Sequence, residues 1–430
     1  MNKIDLKTLQ FAVAGSAAAF RARTRLQPAG GEGDKVFPPT YAGAVYAVEE
    51  RRTKNDKGEW ETTPCVLLDS VQSQANRLEE ALQQAIDSGR FADCPIPVIE
   101  VDFSGESLLN EIGTITSLTA PHRAADAILR DSLIADGEEK GTPFRKSSLG
   151  AKLDHASLNN ATPLYDICPT ALVFGIWDST GPKGGLGAKF QRALVSEMVG
   201  VNAQMGAKTS SRRDPLGITT KAGPLYEAAD QSTCNWTTEE SLAAKDKKGN
   251  AILYNPSGSS EGKPGNPSKA NHSSVTPSYV KDKGGVTIDY AEQTTVLSLP
   301  ALRRLRFPVN NGKPTPETDA AGRTVLAALA LTASALAAEN GYDLRSRCLL
   351  WPTKALEWEL LGQPGADPTK LSITADAAIQ ILKDAITAAE KAGLTWRKAP
   401  LKLTPAPQLV ELLHRSQEIA AAESTEGHED

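Results

Sequence analysis

The chain has 430 residues, 40% hydrophobic and 23% charged, with a formal charge of −5 at pH 7. That balance supplies a sizeable core and excludes wholesale disorder. The 34 Gly show no triplet period and there are only five Cys, which excludes collagen-like and disulfide-scaffold classes. The charge is uneven: residues 411–430 carry Glu411, Glu418, Glu423, Glu426, Glu429 and Asp430 against Arg415, so the body is neutral and any basic patch on it is masked. Cys65, Cys94, Cys168, Cys234 and Cys348 are scattered and lack CxxC spacing, which argues against zinc and disulfides. They suit small core residues in a reducing cytoplasm.

Residues 5–19 read as a short Ala-rich helix. Within it FAVAGSAAAF, after Lys3 and Lys7, imitates a signal peptide, but Asp5 lies upstream and RARTR follows, so it is assigned to the fold. Residues 20–27, FRARTRLQ, place Arg21, Arg23 and Arg25 at period two, which in a strand puts all three on one face. A solvated edge strand would explain them. So would an anion on that face, since no acid stands among them.

Residues 28–41, PAGGEGDKVFPPTY, are too rich in Gly and Pro for helix or central strand. Strands are expected at 43–49 and 64–69, around the turn TKNDKGE. Residues 70–86 form the best helix, with Val71, Ala75, Leu78, Leu82 and Ile86 at helical spacing and Asp69 or Ser70 as N-cap. Its outward arc carries Gln72, Ser73, Asn76 and Arg77. With Ser70 and the N–H groups of the first turn, these suit phosphates or ribose hydroxyls, as well as ordinary capping.

Residues 96–103 read as a strand and TAPHRAADAILRDSL as a helix with Pro121 in its first turn. His122 and Asp126 on that helix could pair an imidazole with a carboxylate, but no nucleophile or ligand set accompanies them. PTALVFGIW, residues 169–177, is a continuous apolar run of central-strand length. The glycine loop after it leads into a helix expected at 188–200. GPKGGLGAKF lacks the Gly-Lys-[Ser/Thr] of a P-loop, and Phe190 stands where GxGxxG needs its last glycine. What it retains is Lys183, Lys189 and Arg192 beside flexible amides, suited to a backbone phosphate of any polyanion or simply to solvent.

Residues 244–285 differ in kind: Lys245, Lys247, Lys248, Lys263, Lys269, Lys281 and Lys283 oppose only Asp246, Glu261 and Asp282, with few large apolar residues. They read as a mobile basic insertion. A strand follows at 286–297, then a basic turn around Arg303, Arg304 and Arg306. Helices are expected at 317–340, 375–392 and 406–421, and a disordered acidic tail at 422–430. The run TVLAALALTASALAA falls short of the ~20 residues a bilayer needs and reads as a buried helix. There is no internal repeat, and the mixture of elements favours an α+β fold over a doubly wound sheet.

The segments RLQPAGGEGDKVFPPTY, VLLDSVQSQANRLEEAL, TSLTAPHRAADAILRDS, PTALVFGIWDSTG and GGLGAKFQRALVSEMVG, in that order, resemble the backbone subunit of the type I-G (formerly I-U) CRISPR Cascade, in the RAMP superfamily. The resemblance is strong over about 20–220 and looser to about 415. It implies an RRM-like (ferredoxin-like) palm with large insertions, including a thumb-like hairpin, in a single domain over 1–421. It also implies a cytoplasmic, non-catalytic protein without cofactor or metal, stacking with further copies of itself along CRISPR RNA. Implied partners are the other Cascade subunits (the CRISPR RNA processing or capping subunit and the large subunit), target DNA and a recruited helicase–nuclease, with no membrane.

The same resemblance matches Gln27, Gly30, Gly31 and Lys35 to the loop after the first palm strand. It matches Ser70, Gln72, Ser73, Asn76 and Arg77 to an RNA-facing helix start, and Gly184, Gly185, Gly187 and Lys189 to a glycine-rich loop. The expected RNA surface adds Arg21, Arg23, Arg25, His122, Arg123, Lys183 and Arg192. The thumb would come from 201–235, with Arg212 and Arg213, or from 244–285. An RRM-type aromatic signature is absent, so recognition is expected to rest on backbone contacts. Two rival readings are a RAMP endoribonuclease with His122 as general base or a thumb Asp as metal ligand, and a phosphotransferase using Lys189.

Overall fold

The computed structural model describes residues 2–54, 57–179, 187–256, 263–310 and 312–429. In chain order the principal strands are β1 (Ala19–Pro28), β2 (Val48–Lys54), β3 (Trp60–Asp69), β4 (Ile99–Asp102), β5 (Leu194–Val201), β6 (Lys208–Arg212), β7 (Val275–Val280), β8 (Tyr290–Ser298), β9 (Trp358–Leu361), β10 (Thr369–Ser372) and β11 (Leu401–Pro405). The principal helices are α1 (Leu6–Ala14), α2 (Val71–Asp87), α3 (Thr170–Phe174), α4 (Pro316–Asn340), α5 (Ala375–Lys391) and α6 (Pro407–Glu429). Two compact units form: Met1–Glu106, Glu111–Gln204 and Gly285–Val410 make the first, and Ser107–Asn110, Met205–Gly284 and Glu411–Asp430 the second.

The first unit is built on a ten-stranded sheet whose main path runs Asn2–Lys3, β10, β9, β1, β8, β5, β3, β2. Asn2–Lys3 pairs with β10 in parallel and every later step of that path is antiparallel. Strand β1 alternates as FRARTRLQ requires, with Ala22, Thr24 and Leu26 buried and Arg21, Arg23 and Arg25 on the other face. It lies between β8 and β9, so the edge-strand explanation of its arginines is corrected: the strand is central.

Helices α2 and α5 pack on α4, and α2 also lies on β5. Ser70 caps α2, accepting the Ser73 N–H at 3.2 Å, and Ala75, Leu78 and Leu82 turn into the core. Pro316 opens α4, where Thr315 and Thr318 each accept the other's backbone N–H at 3.1 Å, and Gly341 at φ 88° closes it. Most of its apolar length is buried, so TVLAALALTASALAA is a core helix. Gly322 lets it approach Phe307 closely: a Cβ there would stand 2.8 Å from the ring. A second, four-stranded sheet runs Thr114–Thr116, β4, β11, Ser132–Ile134, with β4 and β11 parallel.

Three expected elements are corrected. The helix over TAPHRAADAILRDSL breaks at Arg123, whose φ of 54° leaves only Arg123–Ala125 and Ala127–Arg130 helical. The apolar run at 169–177 is α3 and not a central strand; Gly175 at φ 83° ends the helix before the short strand Ile176–Trp177. Apolar on every side, it carried no period to decide between helix and strand. Residues 194–200 of the expected 188–200 helix belong to β5, a central strand, with Leu194, Ser196 and Met198 on its buried face.

In the second unit β6 and β7 form an exposed antiparallel ribbon. Described residues of 244–285 bond back to 205–243: Leu225 N–H donates to Gly265 O at 2.7 Å, Tyr254 N–H to Leu225 O at 3.0 Å and Ala244 N–H to Glu227 O at 2.8 Å. Both stretches considered for a thumb therefore contribute to one unit. Helix α6 continues to Glu429, while the side chains of the expected tail, 422–430, lie outside the described residues, as do 257–262.

The junction of β3 and α2 is held by Asp69, a fully buried carboxylate. It accepts Gln74 Nε2 at 2.6 Å, Arg77 Nε at 3.0 Å and Arg345 Nη2 at 3.3 Å. Asp69→Ala strands two guanidiniums beside an apolar core. A loss of about 3 kcal/mol in unfolding free energy is expected from urea denaturation, and an unchanged midpoint would show the cluster to be dispensable.

Candidate nucleic-acid interface

The strand expected to offer three cations to an anion offers fewer. Pairing with β8 and β9 brings carboxylates onto its outer face. Glu359 accepts Arg21 Nε at 2.8 Å, and Glu292 accepts Arg23 Nη2 through both oxygens at 2.7 and 2.8 Å. Glu292 raises the Arg23 pKa further. Arg51 of β2 is likewise taken by Glu49 and by Glu197 of β5. Among the described residues no carboxylate pairs with Arg25, whose guanidinium lies 4.1 Å from the Tyr290 ring centroid. The sheet face is thus close to neutral, with Arg25 as its open cation.

Gln27, expected in the loop after the first palm strand, lies within β1. Gly31 donates to Pro28 O at 2.9 Å, Lys35 is half-buried with its N–H on Asp34, and Gln27 stands opposite Trp351. Arg347 lies 4.1 Å from the Phe37 ring just beyond.

Helix α2 lies on the other face of the sheet. Gln74 bonds Ser196 and Gln293, both on the buried face, so the helix start and the arginine strand do not share a surface. Gln72 and Asn76 are exposed and Ser73 is half-buried, as an outward arc requires. Arg77 is a correction: it turns inward to Asp69 and to the carbonyls of Asp343 and Leu344. The two carbonyls lie on a segment more than two hundred residues away, which spacing on a helical wheel does not reveal.

Arg123 is a second correction. It is buried, bidentate to Glu79 at 2.6 and 2.7 Å, and donates to Gly175 O at 3.0 Å. Burial pushes the Glu79 carboxyl up to about 7 against the pull of Arg123. Half-buried Arg192 belongs to the same neighbourhood, where burial and the Arg123 charge lower its pKa. His122 is exposed, and Asp126 accepts its backbone N–H at 3.1 Å while also capping the next turn through Ile128 N–H. Asp126 is thereby engaged as a backbone cap.

Lys183, Gly184 and Gly185 lie outside the described residues. Around them, Ile176–Trp177 pairs with Lys189–Phe190 as a two-stranded ribbon. Gly187 packs against Asp178, where a Cβ would stand 2.2 Å from the carbonyl oxygen, so this glycine serves a close approach. Lys189 is exposed, its ammonium 5.1 Å from the Trp177 ring centroid. In the second unit Arg212 is a third correction, spent on Asn271 Oδ1 and the carbonyls of His272 and Ser273, whereas Arg213 is exposed.

Sequence reasoning passed over the tryptophans. Trp60, Trp177 and Trp351 are exposed, and Arg52 and Lys54 lie 5.4 and 5.3 Å from the Trp60 ring. The signal was available: Trp60 and the cations of β2 flank one turn. Among the described residues no group of three or more His, Cys, Asp or Glu could hold a metal ion.

Residues 20–205 match the model of a family described as CRISPR-associated protein GSU0053 (Cas_GSU0053), a span from β1 to just beyond β5. No curated protein matches the chain.

The Glu79–Arg123 pair gives a test in pH. With its folded pKa above the ordinary 4.5, Glu79 contributes stability that is complete below pH about 4.5 and lost as pH rises through about 7. The melting temperature of the native chain should therefore decline across that window relative to Glu79→Gln, and parallel profiles would contradict the assignment.

Proposed function

We propose that the chain is a non-catalytic, RNA-binding backbone subunit of a type I CRISPR interference complex, which lines a guide RNA and presents it for pairing with target DNA. The match of residues 20–205 to a CRISPR-associated family carries this reading. The antiparallel sheet with helices on one face is what an RRM-like RAMP palm would require, and the exposed ribbon of β6 and β7 is suited to a thumb.

A guide carrier must accept any spacer, so it grips phosphates and 2′-hydroxyls and leaves base edges free. Arg25, Lys35, Lys189 and Arg213 have the chemistry for that work, as do the amides of Gln72 and Asn76 on the other side of the sheet from Arg25. Further copies of the chain, a CRISPR RNA processing or capping subunit, a large subunit and a helicase–nuclease complete the proposed assembly in the cytoplasm. Cutting is assigned to the recruited nuclease, so labelled CRISPR RNA should survive incubation with the purified protein. Site-specific cleavage lost on His122→Ala would overturn that part.

Binding of single-stranded RNA, followed by fluorescence anisotropy, should fall with salt. If about four phosphates are neutralised, the slope of log K against log salt is about −3. Arg25→Ala and Lys189→Ala should each weaken binding several-fold, equally for unrelated sequences. Arg77→Ala and Arg123→Ala should act on stability instead. Indifference of the native chain to RNA in dilute salt would defeat the proposal.

A further inference from the structure

Five of the arginines expected to meet RNA, Arg21, Arg23, Arg77, Arg123 and Arg212, are already held by carboxylates or carbonyls, and a ligand is better sought where cations are not so held. Trp177 is 60% exposed, although a large apolar ring is ordinarily covered. It is fixed on the ribbon Ile176–Trp177 with Lys189–Phe190, directly opposite Lys189. Lys189 also lines a pocket of about 220 Å³ with Gln191 and Arg304, whose Nη1 donates to Gln191 Oε1 at 2.8 Å. The pocket floor is apolar, with Leu172 and Ala193 buried beneath it, and no carboxylate is among its lining residues.

From this juxtaposition we infer that Trp177, Lys189 and Arg304 form a nucleotide subsite. The Trp177 indole stacks one nucleobase, and the two cations hold the phosphates beside it. The inference rests on the RNA-binding reading and deepens it. Stacking uses the π-face that every base has, so it adds affinity while leaving the Watson–Crick edge unread, as a carrier of arbitrary guides requires. The ligand chemistry is planar, apolar and anionic at once. An exposed indole supplies the planar apolar surface, and a rim of ammonium, guanidinium and amide without a carboxylate supplies the anion contact. An acidic peptide would satisfy the rim and leave the ring without a planar partner.

The experiment compares single-stranded RNA with an abasic ribose-phosphate strand of equal length, binding to the full chain. The native protein should prefer the base-bearing strand. Trp177→Ala should lose about tenfold on that strand and nothing on the abasic one, whereas Trp177→Phe keeps most of the preference. Lys189→Ala should weaken both strands alike and make the salt slope shallower by about 0.7. If Trp177→Ala binds both strands as the native chain does, the subsite is refuted while the RNA-binding reading stands. If the native chain binds neither strand, both fall.

Discussion

Glu292 and Glu359 reach across from the strands flanking β1 and take hold of Arg23 and Arg21. Much of the molecule's electrostatics follows from this cross-strand pairing. A central antiparallel strand has neighbours on both sides, and side chains directly opposite or diagonal to one another lie within reach of long residues. Three arginines on the outer sheet face, Arg21, Arg23 and Arg51, meet four glutamates there, so the face is balanced rather than strongly cationic. Arg25, facing Tyr290, escapes that balance.

The interior obeys a stricter version of the same constraint. A charge removed from water must be paired and hydrogen-bonded, or the fold is destabilised by several kcal/mol. Asp69 gathers Arg77, Arg345 and Gln74; Glu79 gathers Arg123; Arg145 joins Asp154 and Asp178. The backbone bends to keep these contacts. Arg123 takes a left-handed conformation that interrupts a helix its sequence would otherwise support. Arginines that look like ligand contacts in the sequence are here the means by which acids can be buried.

Among the described residues expected to meet a polyanion, what remains is therefore sparse and local: Arg25, Lys35, His122, Lys189 and Arg213, with amides on the outer arc of α2, to which the structure adds exposed indoles beside cations. Sparse contacts suit the proposed role. A filament subunit need not bind a strand tightly alone, because neighbouring copies on the same strand reinforce one another.

Sequence by itself determined the elements whose period is unambiguous. FRARTRLQ could only be a strand with its arginines on one face, and VQSQANRLEEAL only an amphipathic helix, though whether Asp69 or Ser70 caps it was left to the structure, which uses Ser70. The Ala-rich run at 324–338 could only be a buried helix. The α+β character follows from their mixture. Sequence also placed Lys189, Gln72 and Asn76 at the surface. Tertiary structure decided the rest, because the deciding partners are remote along the chain. Which acid meets Arg21, and which carbonyls turn Arg77 inward, depends on strand register and on segments hundreds of residues away, information that no local period contains. PTALVFGIW and the stretch before Val201 exchanged the expected roles for the same reason. Buried on all sides or set in mid-sheet, they take their conformation from what surrounds them.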